Sequence, residues 1–412
     1  MNNTNIETTS GRPDSLELDE ARISVRSLWK VFGNNPNRIF EEQHSSKSKD
    51  ELQQELGLVA ALRDVSFDVF PGETFVVMGL SGSGKSTLVR CLIKLIEATS
   101  GEIIVDGSDV TNFNATELQQ FRRSHIAMVF QNFGLLPHKN VLDNASYGLE
   151  VKGLDKEERY SIATEMLEKV GLVGWENART HELSGGMQQR VGLARALAMD
   201  PSIMLMDEPF SGLDPLIRRQ MREELSALQA EIQKTMVFIT HDLDEAITIG
   251  DRIAIMRDGE IIQLGSPKDI ITNPIDDFVE SFTQGIPKTK VLDVAHILSA
   301  PEAIYSELDS VDVLRRRMDH TQSGYAIGLG DEGQYLGIIG RAQLDILSGD
   351  VSATLVENTD QDIAAVNPCA TIHEALQLLS ENDWPLPVVD DSNAFLGVVS
   401  QHDLLRTLAS DT

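Results

Sequence analysis

The stretch TFVVMGLSGSGKSTLVRCL, residues 74–92, decides the fold. Strand, loop and helix follow in that order: an apolar run that shuts out water, a turn of glycine and serine, then a helical segment. Gly79, Gly84, Lys85 and Ser86 fit the spacing Gly-x-x-x-x-Gly-Lys-[Ser/Thr]. Such a loop, here with Ser81, Gly82 and Ser83 at its centre, lets successive backbone N–H groups turn inward around a β-phosphate. The helix that starts near Lys85 adds its partly positive end. Lys85 is expected to reach the β- and γ-phosphates and Ser86 to ligate Mg²⁺, with Thr87 closing the loop. The stretch calls for a nucleotide; its use has to be read from the rest of the chain.

Outward from the loop, 412 residues exceed one ordinary core and suggest two or three domains. The composition, 41% hydrophobic and 24% charged, is globular. No window approaches the roughly 18 uninterrupted apolar residues of a spanning helix. The start, MNNTNIETTSGRPDSLELDE, has neither the basic beginning nor the apolar core of a secretory signal, so the chain is expected to stay in the cytoplasm. A formal charge of −29, from 35 basic and 64 acidic side chains, repels nucleic-acid phosphates and argues against such a partner. Cys91 and Cys369 lie 278 residues apart with no Cys-x-x-Cys spacing, which predicts two buried thiols and neither metal site nor disulfide.

Residues 1–20 read as a disordered acidic N-terminus. From Ala21 the apolar positions alternate at Ile23 and Val25, as a half-buried strand requires. A polar, partly helical insertion over residues 33–60 interrupts the pattern before a second alternation at Val65, Phe67 and Val69. Residues 132–185 read as a helical subdomain. Then come the buried strand IMLMD, a helix with Ile217, Met221, Leu225, Leu228 and Ile232 on one face, the buried strand TMVFIT, and a hairpin turning at Asp258-Gly259. Strands alternating with helices predict an α/β fold with a parallel, doubly covered sheet over residues 21–285.

Past Pro287 a repeat appears. LGIIGRAQLDIL at 336–347 and LGVVSQHDLLRTL at 396–408 lie 60 residues apart in register, each after a helix and a short apolar strand. Two copies of a small α/β unit, about 290–347 and 350–410, are expected within 287–412. This tail carries 20 acidic and 7 basic side chains, a net −13.

Chemistry gathers between the loop and the tail. SIMLMDEP ends a strand on Asp207, expected to hold Mg²⁺ through its water shell, and on Glu208, set to polarise an attacking water. In ELSGGMQQR at 182–190, Ser184, Gly185 and Gly186 offer hydroxyl and amide donors at a second helix start. This stretch resembles the signature of the ABC (ATP-binding cassette) family. The resemblance covers about 21–285, with Gln131 in MVFQNFGLLPH, SGLD at 211–214 and His241 in FITHDLDEA all in order. Met187 stands where many cassettes have glutamine, at the edge of the signature and clear of its donors.

The resemblance implies a P-loop NTPase fold: a RecA-like core with an antiparallel β subdomain and a helical subdomain, binding ATP and Mg²⁺. It implies a homodimer in which the signature of one chain faces the phosphate loop of the other around two ATP molecules, with Asp214 in the SGLD turn beside the nucleotide. Gln131 is expected on Mg²⁺ or the lytic water and His241 on the γ-phosphate. Phe32 in LWKVFG matches the family's adenine-stacking ring; Trp29 competes, but its place in the strand favours packing.

Cassettes of this kind dock on membrane permeases, and Phe133, Leu135, Leu136 and Pro137 stand near the groove that receives the partner. The insertion at 33–60, the wording VFQNFGLLPHKNVLDNASYGLEVKG and LARALAMDPSIMLMDEPFSGLDPLIR, and the paired repeats resemble the ATP-binding subunit of bacterial glycine betaine/proline betaine importers. That implies an energy-coupling subunit on the cytoplasmic face of the membrane, partnered by an integral permease and, indirectly, a substrate-binding protein. Choline, carnitine or amino-acid cargo, or a regulatory ATPase without a permease, remain open alternatives. The repeats resemble CBS domains, which often bind adenosine compounds. Gly397, Ser400 and Asp403 match the ribose-holding pattern Gly-h-h-[Ser/Thr]-x-x-Asp, h being apolar, whereas the first repeat has Gly340 and Gln343 in the equivalent places. The importer family's response to ionic strength implies a cationic CBS surface against anionic lipid. A tail of net −13, with only Arg315, Arg316 and Arg317 clustered, argues against that contact here.

Overall fold

The computed structural model describes residues 20–41, 47, 49–131, 133–347, 355, 359, 365–382 and 384–410; the N-terminus read as disordered lies, but for Glu20, outside them. The chain divides into two units, Met1–Gln284 and Gly285–Thr412.

In the first unit, β1 (Ile23–Phe32) buries Ile23, Val25 and Leu28 and slips register around Ser27, whose φ of 41° marks a bulge. The insertion contributes a short 3-10 turn, Pro36–Phe40, and α1 (Lys49–Leu56). Ile39, Leu52 and Leu58 come down on Val31 and Ala60 as a small separate core, and Trp29 meets Phe40 edge-on at 5.3 Å. Trp29 is therefore a packing residue. β2 (Val59–Val69) begins inside the expected insertion, because Val59 and Ala60 pair with Phe32 and Val31.

β3 (Thr74–Gly79), buried throughout, runs through the phosphate loop into α2 (Lys85–Leu92). β4 (Ser100–Val105) and β5 (Ser108–Asp109) complete an antiparallel sheet ordered β2-β1-β4-β5. Asn114 and Glu117 form a capping box that starts α3 (Ala115–Ser124), and β6 (Ile126–Val129) follows. The helical subdomain holds α4 (Val141–Ala145), α5 (Tyr147–Lys152), α6 (Lys156–Lys169) and α7 (Gly185–Ala198). Then come β7 (Ile203–Asp207), α8 (Pro215–Ile232), β8 (Thr235–Thr240), α9 (Leu243–Ile249), β9 (Arg252–Arg257) and β10 (Glu260–Gly265). α10 (Pro267–Thr272) and α11 (Asp277–Thr283) end the unit.

The second sheet runs β10-β9-β3-β8-β7-β6, parallel except for β10. Asp258 and Gly259, with φ of 51° and 88°, make the hairpin turn between β9 and β10. One core joins the two sheets around α2: Val25, Leu62 and Phe67 from the antiparallel sheet, Phe75, Val77 and Val237 from the parallel one, and Leu88, Val89 and Leu92 from the helix. Phe67 stacks on Phe75 at 4.8 Å. Holding α2 on both sides is what fixes the loop at its N-terminus.

The second unit repeats one order twice. β11 (Ile304–Ser306), α12 (Val311–Thr321), β12 (Tyr325–Leu329), β13 (Tyr335–Gly340) and α13 (Arg341–Leu347) come first. α14 (Ile372–Glu381), β14 (Leu386–Val389), β15 (Phe395–Val399) and α15 (Gln401–Ser410) answer them, with a parallel bridge Val366 to Val388 matching the parallel pair β11–β12. The cores are interleaved. Val294, at the start of the first repeat, packs with Ile372, Leu386 and Val399 of the second, while Leu355, at the start of the second, completes the core around Tyr305 and Leu314 of the first. Ile327, Ile338 and Val398, with Tyr325, Tyr335, Trp384 and Phe395, then bind both repeats together. Neither repeat owns a full core.

The cysteines correct one expectation. Cys91 is buried in α2, but Cys369 is exposed, in the turn that precedes α14.

Candidate functional site

The phosphate loop needs its glycines for space as well as for dihedrals. At Gly84, with φ of 108°, an added Cβ would lie 2.4 Å from the Ala61 carbonyl; at Gly79, with φ of 153°, 2.3 Å from that of Met256. Gly84 caps α2, and Lys85, the first helical residue, is buried with its Nζ donating to the Gly79 carbonyl at 2.7 Å and the Leu80 carbonyl at 3.0 Å. Burial holds the Lys85 ammonium below its usual value, opposed by the charges of Glu208 and Asp207. Ser83 Oγ is buried without a protein partner, a polar atom left for a ligand in the loop.

Four elements bring the rest together. Ser86 Oγ donates to Asp207 Oδ1 at 3.0 Å. Burial pushes the Asp207 carboxyl above its ordinary value, against the Ser86 hydrogen bond. Glu208 follows at the end of β7 with φ of 46°, a left-handed backbone that a non-glycine residue adopts at a cost. Its N–H donates to the Ile239 carbonyl at 3.0 Å, which turns the carboxylate toward the ends of β8 and β6. There Glu208 Oε2 lies 3.1 Å from His241 Nδ1 and 3.5 Å from Gln131 Nε2. The cluster thus stands at the carboxyl ends of neighbouring parallel strands, where open α/β sheets bind ligands.

Ser184, Gly185, Gly186 and Asp214 stand outside this hydrogen-bonded cluster. Ser184 caps α7, accepting from Met187 N at 3.3 Å, and is exposed with Gly185; Gly186 is buried where a Cβ would meet Ile217 Cγ2 at 2.8 Å. Asp214 is exposed at the start of α8 and makes no side-chain cap bond. Phe32 ends β1 with its ring 41% exposed and Lys30 Nζ 4.8 Å from the ring centroid, so one face stays available for stacking. Phe133, Leu135 and Leu136 are half-buried and Pro137 is exposed. The sequence reading missed the side chains that hold these turns. Arg195 donates to the Phe133 and Gly134 carbonyls at 3.0 and 2.7 Å, Arg218 donates to Asp242, the residue after His241, and Thr240, the residue before it, donates to Glu245. Nothing but their spacing along helices could have flagged them.

In the second unit the candidate ribose pair is already engaged. Asp403 Oδ2 accepts from Ser400 Oγ at 2.6 Å, Ser400 N at 2.9 Å and Ser299 Oγ at 3.0 Å. These bonds hold the carboxyl below its ordinary value against the upward push of burial. In the first repeat Gln343 Oε1 accepts from Gly340 N at 2.8 Å, and a Cβ on Gly340 would meet the Trp384 indole at 2.6 Å. Arg315 pairs with Asp345 and Arg317 with Asp309, at 2.6 and 2.9 Å, so two of the three clustered arginines are neutralised locally.

Comparison with known proteins decides what the first unit is. The ABC transporter family model matches residues 62–211 and the CBS domain model residues 356–410. The glycine betaine/proline betaine transport system ATP-binding protein ProV of Escherichia coli (strain K12) is 41% identical over 398 residues, 94% of this chain and 97% of ProV. The chain belongs to the ABC transporter ATP-binding family. As an ABC cassette it binds ATP and is an ATPase. The trimethylamine N-oxide transport system ATP-binding protein TmoW of Pelagibacter ubique (strain HTCC1062) is 47% identical over 285 residues, 69% of this chain and 83% of TmoW. A bacterial ABC transporter cassette solved as a dimer matches at 32% identity with a TM-score of 0.51, covering 60% of this chain and 98% of that cassette. Among the described residues no helix is long and apolar enough to cross a membrane.

Proposed function

We propose that this ABC cassette is the energy-coupling ATPase of a membrane importer for glycine betaine, proline betaine and related quaternary amines, bound at the cytoplasmic face to an integral permease that a substrate-binding protein loads. The observation that carries the cargo is coverage: ProV matches 94% of the chain, tail included, whereas TmoW matches 69%. Residues 21–285 do the chemistry and 287–412 regulate it.

Phe32 stacks on adenine, and the loop N–H groups from Gly79 to Thr87 and Lys85 grip the phosphates. Ser86, Asp207 and Gln131 are hard oxygen donors, and a carboxylate beside a hydroxyl fits Mg²⁺, which supplies charge neutralisation on the phosphates when bound. Glu208 takes the proton of the attacking water, with His241 fixing its carboxylate and contacting the γ-phosphate and Gln131 orienting the water. Ser184, Gly185 and Asp214, all exposed, and buried Gly186 beside them, are uncommitted to the chain's own cluster and serve the nucleotide of a second copy. Half-buried Phe133, Leu135 and Leu136 receive the permease. Regulation by an adenine nucleotide falls to the one ribose pair of the tail, Ser400 and Asp403, which such a ligand enters by replacing Ser299.

Uptake of labelled glycine betaine at low and high salt tests this in cells lacking the chain and complemented with wild type or Glu208→Gln. Salt-stimulated uptake restored by wild type alone is expected; no uptake from wild type with intact ATP hydrolysis overturns the cargo. The higher identity to TmoW favours a second reading, trimethylamine N-oxide, and the same cells given that labelled compound decide it.

A further inference from the structure

One cationic side chain, Arg218, reaches both the turn ending at Asp214 and the turn carrying His241. Arg218 lies in the first turn of α8, its N–H donating to the Asp214 carbonyl at 2.8 Å. Its Nη2 donates to the Leu213 carbonyl at 3.3 Å, one residue before Asp214. Its Nη1 donates to Asp242 Oδ2 at 3.4 Å, one residue after His241. Its Nε lies 4.0 Å from Glu245 Oε1. The planar guanidinium donates to Leu213 and Asp242 at once because its Nη donors form a rigid fork, with Glu245 as an ion-pair neighbour; a lysine ammonium is a single point and cannot.

The acceptors belong to one network around His241. Glu245 is 4% exposed and its Oε2 accepts from Thr240 Oγ1 at 2.5 Å. Thr240 Oγ1 accepts from Asp242 N at 2.9 Å, and Asp242 Oδ1 caps α9 by accepting from Asp244 N at 2.9 Å and Glu245 N at 3.3 Å. The residues on both sides of His241 are thus held, and the side that faces α8 ends on Arg218. Contacts of 3.3–4.0 Å are at or past the long end of hydrogen bonding. A shift of a few tenths of an ångström at the start of α8 is enough to tighten or break them.

We infer that Arg218 is a positioning residue that couples the turn ending at Asp214 to the turn carrying His241, so that seating of a second copy against Asp214 sets the histidine over the chain's own ATP. The inference rests on the proposed dimeric ATPase and adds the link between its two sites. Arg218 acts through Leu213 and Asp242. A plain staple between α8 and α9 predicts something else: its loss lowers stability and leaves cooperativity alone.

Steady-state ATP hydrolysis by the full chain, run against ATP concentration, separates the two. Arg218→Lys keeps the charge beside Glu245 and loses the fork. Its expected kcat is about tenfold lower, and its Hill coefficient falls from near two, the limit for two sites, to about one. Half-saturation by ATP stays within about twofold, since the phosphate loop is untouched. Asp242→Asn keeps the helix cap, because asparagine caps as well as aspartate, and removes only the charge facing Arg218. It decides the matter if the lysine variant does not fold, and the same loss of cooperativity is expected of it. Wild-type cooperativity in either folded variant overturns the coupling role. A wild type that hydrolyses no ATP, or does so with a Hill coefficient of one, overturns the dimeric reading itself and this inference with it.

Discussion

The two units treat their acids in opposite ways. The cassette buries Glu73, Asp207 and Glu245, between 4% and 7% exposed, and burial pushes each carboxyl above its ordinary value. The C-terminal unit uses acids as turn and helix caps: Asp390 is held low by the Ser392 hydroxyl and the Ala394 N–H, Asp309 by the Ser306 N–H and Arg317 against its partial burial, and Asp403 by Ser400 and Ser299. Among the described residues its buried polar groups are uncharged, Thr289 and Ser323. Two of these burials, Asp207 next to the left-handed Glu208 and Glu245 bonded to Thr240, stand at the carboxyl ends of β7 and β8, whereas Glu73 precedes β3 at the other end of the sheet and pairs with Arg252. The tail is assembled from locally satisfied parts, as a unit selected for fold and contact surface is.

The largest test of that contrast is Gly84→Ala. The loop has no room for a methyl group against the Ala61 carbonyl, so the backbone moves and the N–H cradle opens. Titration calorimetry with ATP is expected to show affinity at least about a hundredfold lower, equivalent to about 2.7 kcal/mol, with the melting of the C-terminal unit unchanged. Near-normal binding would mean the cradle is not what holds the phosphates.

Trp384→Ala comes next and acts on the other unit. The indole fills the space over Gly340 and lies in the core shared by both repeats. Being half-buried, it is expected to cost roughly 2 kcal/mol, below the range for a fully buried tryptophan. A lower melting point for the C-terminal transition with wild-type ATP hydrolysis is the expected pattern in calorimetry and a coupled assay. Ending the chain at Gln284 sharpens it further. Because the units divide there, hydrolysis is expected to stay within about twofold while its regulation by salt or nucleotide is altered; loss of hydrolysis in a folded truncation would contradict the division of labour.

The catalytic half of the molecule was largely legible because its chemistry is written in contiguous motifs. Gly79 to Thr87, Asp207-Glu208 and His241 each end a strand whose apolar run can be recognised, and the parallel sheet brings those ends together. What holds the motifs was not legible. Arg218 meets Asp242 and Arg195 meets Phe133 only because α8 and α7 pack as they do, and an arginine on a helix carries no mark of its partner. The tail's repeat was visible at 336 and 396, but its interleaving was not: Val294 and Leu355 are ordinary apolar residues until the fold puts each in the other repeat's core. Cys369 was misread for a similar reason, since rarity of exposed thiols is a tendency and the turn before α14 does not follow it.

The smallest effect is the most direct comparison of the two units. A carboxyl whose folded pKa is raised contributes stability that is fully present below the unfolded value, about 4, and is lost as pH rises through the folded one. Glu73, Asp207 and Glu245 are of this kind, so mild acidification from pH 7 toward 5 relieves the cassette. A carboxyl whose folded pKa is depressed contributes stability present above the unfolded value and lost as pH falls through the folded one. Asp309, Asp390 and Asp403 are of this kind and lose their contribution only below about pH 4. Glu150 and Asp276 in the cassette, held low by Lys139 and by the Val279 N–H, behave likewise, but both are at the surface and water screens them. Scanning calorimetry at pH 7, 5 and 3.5, with the truncated chain assigning the transitions, is therefore expected to show the cassette transition gaining on the C-terminal one down to pH 5, and the C-terminal one falling at 3.5. Two transitions that move together between pH 7 and 5 would mean that the buried acids of the cassette are already neutralised by their partners, and the contrast between the units would then be one of geometry alone.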